Sequence, residues 1–520
     1  MPDAPSFRLR NTLTREVEPL VPSQTDADGT PVLRFYSCGP TVYSYAHVGN
    51  FRTFLTADLV VRTGRALGWR VDYVSNVTDV GHLTEDDVAD GGGEDKMARA
   101  LASKEGEAFA NVWDLARHYT DALLSDWRSL GLIEPNVRPR ATEHVREQIR
   151  AVEGLMERGH AYETEDGVYF HVPSFPDYGK LSGNSDAERL AAGAAGASRE
   201  VVQDESKRDP RDFALWKKDP GHLMQWFSPF GWGFPGWHLE CSVMAQKYLG
   251  ETIDLHGGGE DLTFPHHECE IAQAEALTGE PFARMWIHTR FLQVEGEKMS
   301  KSKGNFLTVR DLTATPEEGG REDWGAPVDP LALRLLLISG QYGKPFNLTK
   351  KALADAAKNR QRYAEALEAV REAGESGPAG DPEITEGLRE TLDDAYADAL
   401  DGMADDLNTP VALAAALRGA NTILSVARQP DGLSAPAAQA AMEYLQRVDD
   451  LLGIVGLAAD GADEDDSADP LAEEIDALLA ARQQAREDKD WARADALRDE
   501  IDALGIVVMD TPSGPTWRRK

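Results

Sequence analysis

Cysteine is nearly absent: the 520 residues hold three, Cys38, Cys241 and Cys269. Thiols this few and this scattered exclude a disulfide scaffold and leave reduced side chains or metal ligands. Long hydrophobic runs are missing too. The opening stretch MPDAPSFRLRNTLTREVEP has no apolar segment of signal-peptide length, and the longest apolar patch, around Leu335 to Ile338, is too short to span a bilayer. A soluble, cytoplasmic protein with no membrane partner is expected. Positive charge is scarce as well. Lys plus Arg number 54 against 89 Asp plus Glu, a net charge of −35, so overall charge does not attract polyanions and a nucleic-acid partner must find local basic surface. An acid excess of this size also points to a high-salt cytoplasm, with activity that rises in molar salt.

What is present is enough for a large folded chain. At roughly 150 residues per domain the length allows about three or four domains. Residues 32–38, VLRFYSC, read as a buried strand, and GPTVYSYAHVGN leads into an amphipathic helix to about Leu67, capped by Gly68. A second strand follows at Arg70 to Asn76. Strand, helix, strand is the mark of a parallel α/β domain, whose ligand sits at the carboxyl ends of the strands; His47 then falls at a phosphate-facing helix N-terminus. Glu94 to Gly159 reads as helical, with Trp113, Leu115, Leu123, Leu124 and Trp127 on buried faces, and residues 183–200 are rich in Gly and Ala. The α/β pattern resumes at Thr252 to Leu255, passes through GGGED into a helix opening at Pro265, and returns as strand at Trp286 to Val294.

Two halves, 1–115 and 235–310, therefore make one parallel-sheet domain, with 116–234 inserted between them. Residues 311–347 follow, and 348–457 have the Ala-, Leu- and charge-rich periodicity of a helical bundle. Within 458–474 the stretch 460–474 carries eight acidic residues and no basic one, the composition of a solvated linker. The last segment, 475–520, reads as two helices broken near Asp488 to Asp490 and a hairpin built from IVVM, DTPSG and PTW, a small α+β module.

Two elements could handle phosphate. In His47-Val48-Gly49-Asn50 the glycine lets a nucleotide approach the backbone, and the helix dipole with His47 and Asn50 can hold phosphate oxygens; alone, such a tetrapeptide is equally a turn. The second, Lys298-Met299-Ser300-Lys301-Ser302 with Lys303-Gly304-Asn305, clusters cations on a loop, and alone reads as a solvated basic turn. Taken together, in this order and strand context, they resemble the HIGH and KMSKS signatures of class I aminoacyl-tRNA synthetases, the first as HVGN and the second intact. In-line attack on the α-phosphate of ATP builds negative charge that positioned cations and amide donors stabilise.

Further segments narrow the resemblance to the cysteinyl-tRNA synthetase family: Cys38-Gly39-Pro40-Thr41, Gly236-Trp237-His238-Leu239-Glu240-Cys241, Phe264-Pro265-His266-His267-Glu268-Cys269-Glu270, the PRATEH run at 139–144, KRDPRDFALW from Lys207 to Trp216, His256-Gly257-Gly258-Gly259, and the tail TPSGPTWRR. The resemblance runs nearly end to end. It implies a Rossmann-like catalytic domain with an inserted connective domain, a stem-contact region at 311–347 and an anticodon-binding module at 475–520. The implied activity is ATP-dependent formation of cysteinyl-adenylate and transfer to the 3′ end of tRNA(Cys). It further implies one Zn²⁺ held by Cys38, Cys241, His266 and Glu270, and Mg²⁺ on the ATP phosphates. His266 and Glu270 are i, i+4 and share a helix face, consistent with a tetrahedral site closed by two distant thiolates. Cys269, i+3 from His266 and a softer donor than Glu270, stays open as an alternative ligand. A soft metal prefers a thiolate to a hydroxyl, so serine is rejected without an editing domain.

The same resemblance assigns His47, Asn50, Lys298 and Lys301 to catalysis. It brings His47, Gly49, Asn50, His256, Gly257, Gly258, Gly259, Asp261, Lys298 and Lys301 to ATP, and Thr41 and Trp237 to the cysteine pocket. On the tRNA side, Lys351, Lys358 and Arg362 recur at helical spacing as a basic stripe, and Trp517-Arg518-Arg519 could stack a base and hold phosphates. A monomer is expected. The segment Val80 to Lys96 departs from the family wording and leaves His82 without a role; YGKPFNLT at 342–349 departs as well. Two other readings are a paralogous ligase that charges an amino sugar, disfavoured by residues 471–520, and a noncatalytic RNA-binding protein, disfavoured by the intact motifs.

Overall fold

The computed structural model describes residues 5–80, 95–183, 207–300, 303–378, 380–430 and 432–457, scattered positions from 478 to 501, and strands Ile506–Thr511 and Gly514–Arg519. The chain forms two compact units, Met1–Val455 and Gly456–Lys520.

In the first unit, β1 (Pro31–Ser37) buries Val32, Leu33, Phe35, Tyr36 and Ser37. With both faces covered, such a run favours the interior of a parallel sheet. Helix α1 (Val48–Ala66) follows and buries Phe51, Phe54, Leu55, Val60 and Val61. It stops at Leu67, and Gly68 takes φ 81°, a conformation only glycine adopts cheaply. Strand β2 (Arg70–Ser75) then pairs parallel to β1 from Val32↔Arg70 to Ser37↔Ser75.

The segment expected to be uniformly helical is interrupted. Helix α2 (Val112–Ser129) and α3 (Val145–Glu157) are separated by an extended stretch that bridges β2 at Val74↔Val137 and the residues just after it at Val77↔Arg140. Pro135 and Pro139 account for the break, because proline disfavours helix for itself and its predecessor. Leu115, Leu123 and Trp127 are buried as expected. Trp113, expected inside, is exposed, with its ring set against Trp226.

An antiparallel sheet follows: β3 (Ala161–Glu163), β4 (Gly167–Phe170), β5 (Phe213–Lys217), β6 (Trp226–Ser228) and β7 (Gly231–Pro235), in the order β3-β4-β5-β7-β6. The Gly/Ala-rich stretch expected at 183–200 lies, apart from Gly183, outside the described residues. Helix α4 (Leu239–Leu249) leads into β8 (Ile253–Gly259), α5 (His266–Thr278) and β9 (Ala283–Thr289). The parallel core runs β9-β8-β1-β2. One strand–helix–strand unit proceeds outward from β1 to β2 and the other from β8 to β9, so strand order reverses between β1 and β8. That reversal opens a crevice at their carboxyl ends. Two readings are corrected here. The strand expected to end at Leu255 continues through the triple glycine as β8, and Trp286 to Val294 divides into β9 and β10 (Leu292–Val294), which pairs elsewhere.

Four helices complete the unit: α6 (Lys350–Ser376), α7 (Pro382–Ala404), α8 (Thr409–Ala427) and α9 (Ala435–Leu452). This is the expected bundle. Helix α8 is long and apolar enough on composition to cross a membrane, a stretch longer than the Leu335 to Ile338 patch; it buries Ala412, Ala416, Ala420 and Ile423. In the second unit, Ile506–Thr511 and Gly514–Arg519 pair antiparallel as the expected hairpin. The acidic linker 458–474 and His82 lie outside the described residues.

Candidate functional site

Cys38 follows β1 directly and lies at the crevice. Gly39 makes a tight approach behind it: its N–H donates to Asn76 Oδ1 at 2.8 Å, and any Cβ would overlap the Asn76 carbonyl. Thr41 bridges Thr78, whose hydroxyl donates to Glu240 at 2.7 Å. Glu240 lies in the first turn of α4, with Cys241 one residue later; α5 presents His266 and Glu270 one turn apart.

These elements converge. Cys38 Sγ lies 3.5 Å from Cys241 Sγ and 3.4 Å from Glu270 Oε1, and His266 Nε2 lies 2.9 Å from Glu270 Oε1. Ligand atoms of Cys38, Cys241, His266 and Glu270 are all within 4.8 Å of one another, and all four residues are buried. A tetrahedron with bonds of about 2.0–2.3 Å has edges of roughly 3.3–3.8 Å, so the donor set fits a zinc-sized ion. The electrostatics agree. Burial, the Cys241 sulfur and the Glu270 carboxylate push the Cys38 thiol well up. Burial opposes protonation of His266, but Glu270 and Cys241 outweigh it and lift the ring to about 10. Packed acids of this kind demand a positive charge, which a divalent ion supplies.

Cys269 faces away from the group. Its Sγ contacts the Tyr178 hydroxyl at 3.4 Å within an apolar cluster that includes Val152, Phe213 and Ala272, and burial pushes its thiol up. Among the described residues it joins no ligand group.

His256 needs correction. Its ring is fully buried, Nε2 is 2.7 Å from Glu270 Oε2, and it stacks on Trp286 at 4.4 Å. It therefore sits behind Glu270 rather than facing a nucleotide. Gly257 and Gly258 are buried; a Cβ on Gly258 would come within 2.8 Å of His267, so this glycine lets α5 close on β8, while a Cβ on Gly257 would meet Ile287 and Phe35 of the neighbouring strands. Gly259 is partly exposed and precedes Asp261 in a short helical turn.

Residues missed in sequence extend this interior. His267 Nδ1 meets His288 Nε2 at 2.8 Å, and His288 Nδ1 meets the Thr12 hydroxyl at 2.7 Å. Burial and neighbouring imidazoles hold His267 well below its ordinary value, and burial foremost drives His288 to about 3, so both are neutral. Cys38, His256, His267 and Glu270 form a second overlapping ligand group. The adjacent histidines of PHHECE were the available signal. Trp237 lies against the metal-type group, its ring 4.5 Å from that of His266, with Lys96 Nζ 5.3 Å from the indole.

The two phosphate motifs meet. His47 caps α1: Asn50 N–H donates to His47 Nδ1 at 3.0 Å, and His47 N–H donates to Asn50 Oδ1 at 3.1 Å. With Nδ1 accepting, Nε2 is the ring nitrogen left to face a ligand. A Cβ on Gly49 would lie 3.3 Å from Met299 Cε, and Val48 N–H donates to Leu307 C=O at 2.9 Å. The exposed Lys298 is held through its carbonyl by Asn305 Nδ2 at 3.2 Å, while Asn305 Oδ1 accepts from Ser300 N–H at 2.8 Å. Lys301 lies outside the described residues.

In the bundle, Lys351 and Lys358 both reach Asp355, at 2.6 and 3.5 Å. Lys358 and Arg362 line a groove with Arg428 between α6 and α8. Trp517, Arg518 and Arg519 lie on the second strand of the terminal hairpin.

A parallel crevice with HVGN meeting the described start of KMSKS, Lys298–Ser300, is the arrangement of a class I aminoacyl-tRNA synthetase. Residues 27–358 match the family model described as tRNA synthetases class I (C) catalytic domain, and 468–518 match the cysteinyl-tRNA ligase anticodon binding domain. Cysteine–tRNA ligases of Salinibacter ruber (55% identical, covering 99% of each chain), Deinococcus radiodurans (42%, covering 99% of this chain and 97% of the relative) and Thermus thermophilus (41%, 98% of each) are similar throughout. The chain belongs to the cysteine–tRNA ligase family and is a ligase that aminoacylates tRNA. Its fold is shared with Mycobacterium tuberculosis methionyl-tRNA synthetase in complex with methionyl-adenylate, at TM-score 0.54 and 14% identity over 81% of this chain and 92% of that one.

Proposed function

We propose that the chain activates L-cysteine with ATP and charges tRNA(Cys). A carboxylate oxygen of cysteine attacks the α-phosphorus, the bond to pyrophosphate breaks, and cysteinyl-adenylate forms. A terminal ribose hydroxyl of tRNA then attacks the acyl carbon and AMP leaves.

Cys38, Cys241, His266 and Glu270 would hold Zn²⁺. The chemistry that ion supplies is preference for the soft substrate thiolate over a serine hydroxyl. His256 orients Glu270 through the 2.7 Å contact. Thr41 and Trp237 line the cysteine pocket. His47, Gly49 and Asn50 receive the triphosphate at the N-terminus of α1, Lys298 and Lys301 neutralise it, a charge that Mg²⁺ bound with ATP would further offset, and Gly259 with Asp261 borders the nucleoside. Positioning and charge stabilisation carry the reaction, with no covalent enzyme nucleophile.

Residues 1–115 and 235–310 form the catalytic domain, 116–234 the connective insertion and 311–347 the stem contact. Lys351, Lys358 and Arg362 on 348–457 meet tRNA phosphates, and 475–520 read the anticodon beyond the 458–474 linker. The protein works as a cytoplasmic monomer. Deleting residues 471–520 raises KM for tRNA and spares pyrophosphate exchange.

The observation that carries this reading is the buried four-ligand group beside a crevice where HVGN and KMSKS meet. ATP–pyrophosphate exchange by metal-loaded protein tests it. Cysteine is expected to exceed serine by at least about 10³-fold in kcat/KM, more than a size-sensing pocket delivers. Equal exchange with serine overturns it.

A further inference from the structure

Two of the most exposed large apolar side chains in the described structure are directly opposite each other. Phe227 on β6 is 70% exposed and Trp232 on β7 is 63% exposed. They pair across the strands, and their ring centroids are 5.8 Å apart. Leu223, also exposed, precedes the hairpin. The backbone of β7 is anchored beneath them: Phe234 stacks on His222 at 3.7 Å, and Gly233 and Phe234 are buried.

The hairpin has a fixed relation to the site. Trp232 precedes Trp237 by five residues, the last two beyond the end of β7, so the two are separated by at most about 17 Å at roughly 3.3 Å per residue. Trp237 in turn lies against His266. The aromatic pair is thus carried by the strand that delivers the chain to the reaction centre, at a distance a short unpaired strand can span. The substrate of this ligase must bring its 3′ end to that centre, and the end of a tRNA is single-stranded. Unpaired bases are held by stacking on aromatic rings, a mode that tolerates any base because every base has a π-face. On a chain of net charge −35, stacking is an entry mode that does not depend on bulk attraction.

We propose that Phe227 and Trp232 form a stacking platform for the unpaired 3′-terminal nucleotides of tRNA, guiding them along β7 toward Trp237.

The test uses the full chain with Phe227→Ala, Trp232→Ala, the double variant and Trp232→Tyr. Loss of a stacked ring is expected to lower kcat/KM for tRNA by about ten-fold, and Trp232→Tyr is expected to restore most of it. Cysteine-dependent pyrophosphate exchange needs no tRNA and keeps its rate. A 2-aminopurine near the tRNA 3′ end is quenched by the wild-type protein and not by the double variant. A tRNA lacking its last four nucleotides binds all forms alike. Unchanged kcat/KM in the double variant overturns the proposal. So does an equal loss of affinity for the trimmed tRNA, or a wild-type dimer that the double variant turns into monomer, which would make the patch a self-interface. The inference rests on tRNA charging; absence of pyrophosphate exchange in the wild type would strike the adenylate reading instead.

Discussion

Cys38 and Cys241, 203 residues apart in sequence, bring their sulfurs to 3.5 Å. That is far beyond a disulfide bond of about 2.05 Å and close to the ligand spacing around one tetrahedral ion. Cys38→Ser or Cys241→Ser is therefore expected to lower zinc affinity by at least about 100-fold, more than the loss of an outer hydrogen bond. Metal analysis after dialysis against a graded chelator series checks this. Full metal content in both variants would remove the site.

Cys269 and Glu270 are neighbours with opposite surroundings. Glu270 is fully buried, yet His256 and His266 overcome the cost of burial and hold its carboxyl well below the usual range. Glu270→Gln is expected to lose metal while Cys269→Ala retains it and forfeits about 1 kcal/mol of stability from the core. Metal titration and urea unfolding on the same two proteins separate the effects. Metal loss in Cys269→Ala alone would reverse the assignment.

Much of this was legible in the sequence because it rests on local order. Strand β1, helix α1 and the bundle helices follow from unbroken apolar patterns, and the pairing of HVGN with KMSKS follows from motif order. What was hidden depends on long-range packing. His267 and His288 sit in segments whose buried faces are indistinguishable by pattern, and their contact exists only because β8, α5 and β9 stack. His256 was misplaced because the residue beside a glycine run looks like a nucleotide neighbour; only the parallel pairing of β8 with β1 and β9 shows its ring to be interior. Trp113 was expected to be core from residue type, but it is exposed, its ring meeting that of Trp226 edge-on.

Asn305 staples the loop that carries Lys298, accepting from Ser300 N–H and donating to the Lys298 carbonyl. Lys298→Ala is expected to slow pyrophosphate exchange by about 10²-fold or more, the scale of removing one charge-stabilising donor, with KM for cysteine unchanged. Asn305→Ala keeps the cation but loosens its placement, so a smaller loss of about ten-fold in kcat is expected. A fall in cysteine affinity equal to the fall in kcat would show instead that the loop shapes the amino-acid pocket.

Asp58 and Arg334 form a fully buried ion pair between α1, the helix carrying HVGN, and the helix Pro330–Leu337. Arg334 also donates to the carbonyls of Leu452, Leu130 and Gly131, and Arg62 reaches Asp58 and the carbonyls of Asp449 and Asp450. The node thus ties α1 to the end of α9. Burial alone would raise the Asp58 pKa, but Arg334, Arg62 and the Ile133 N–H outweigh it and lower it. A carboxyl lowered in the folded state contributes stability that is fully present above its unfolded pKa of about 3.9 and is lost as pH falls through the folded value. Asp58→Asn leaves buried guanidinium groups unpaired, and a loss of about 3–5 kcal/mol at pH 7 is expected. Because the wild type forfeits the same contribution in acid, the gap between the two proteins should narrow as pH drops below about 4. Urea midpoints at pH 7 and pH 3.5 check both statements; a gap that widens in acid would mean the carboxylate is not what holds α1 and α9 together.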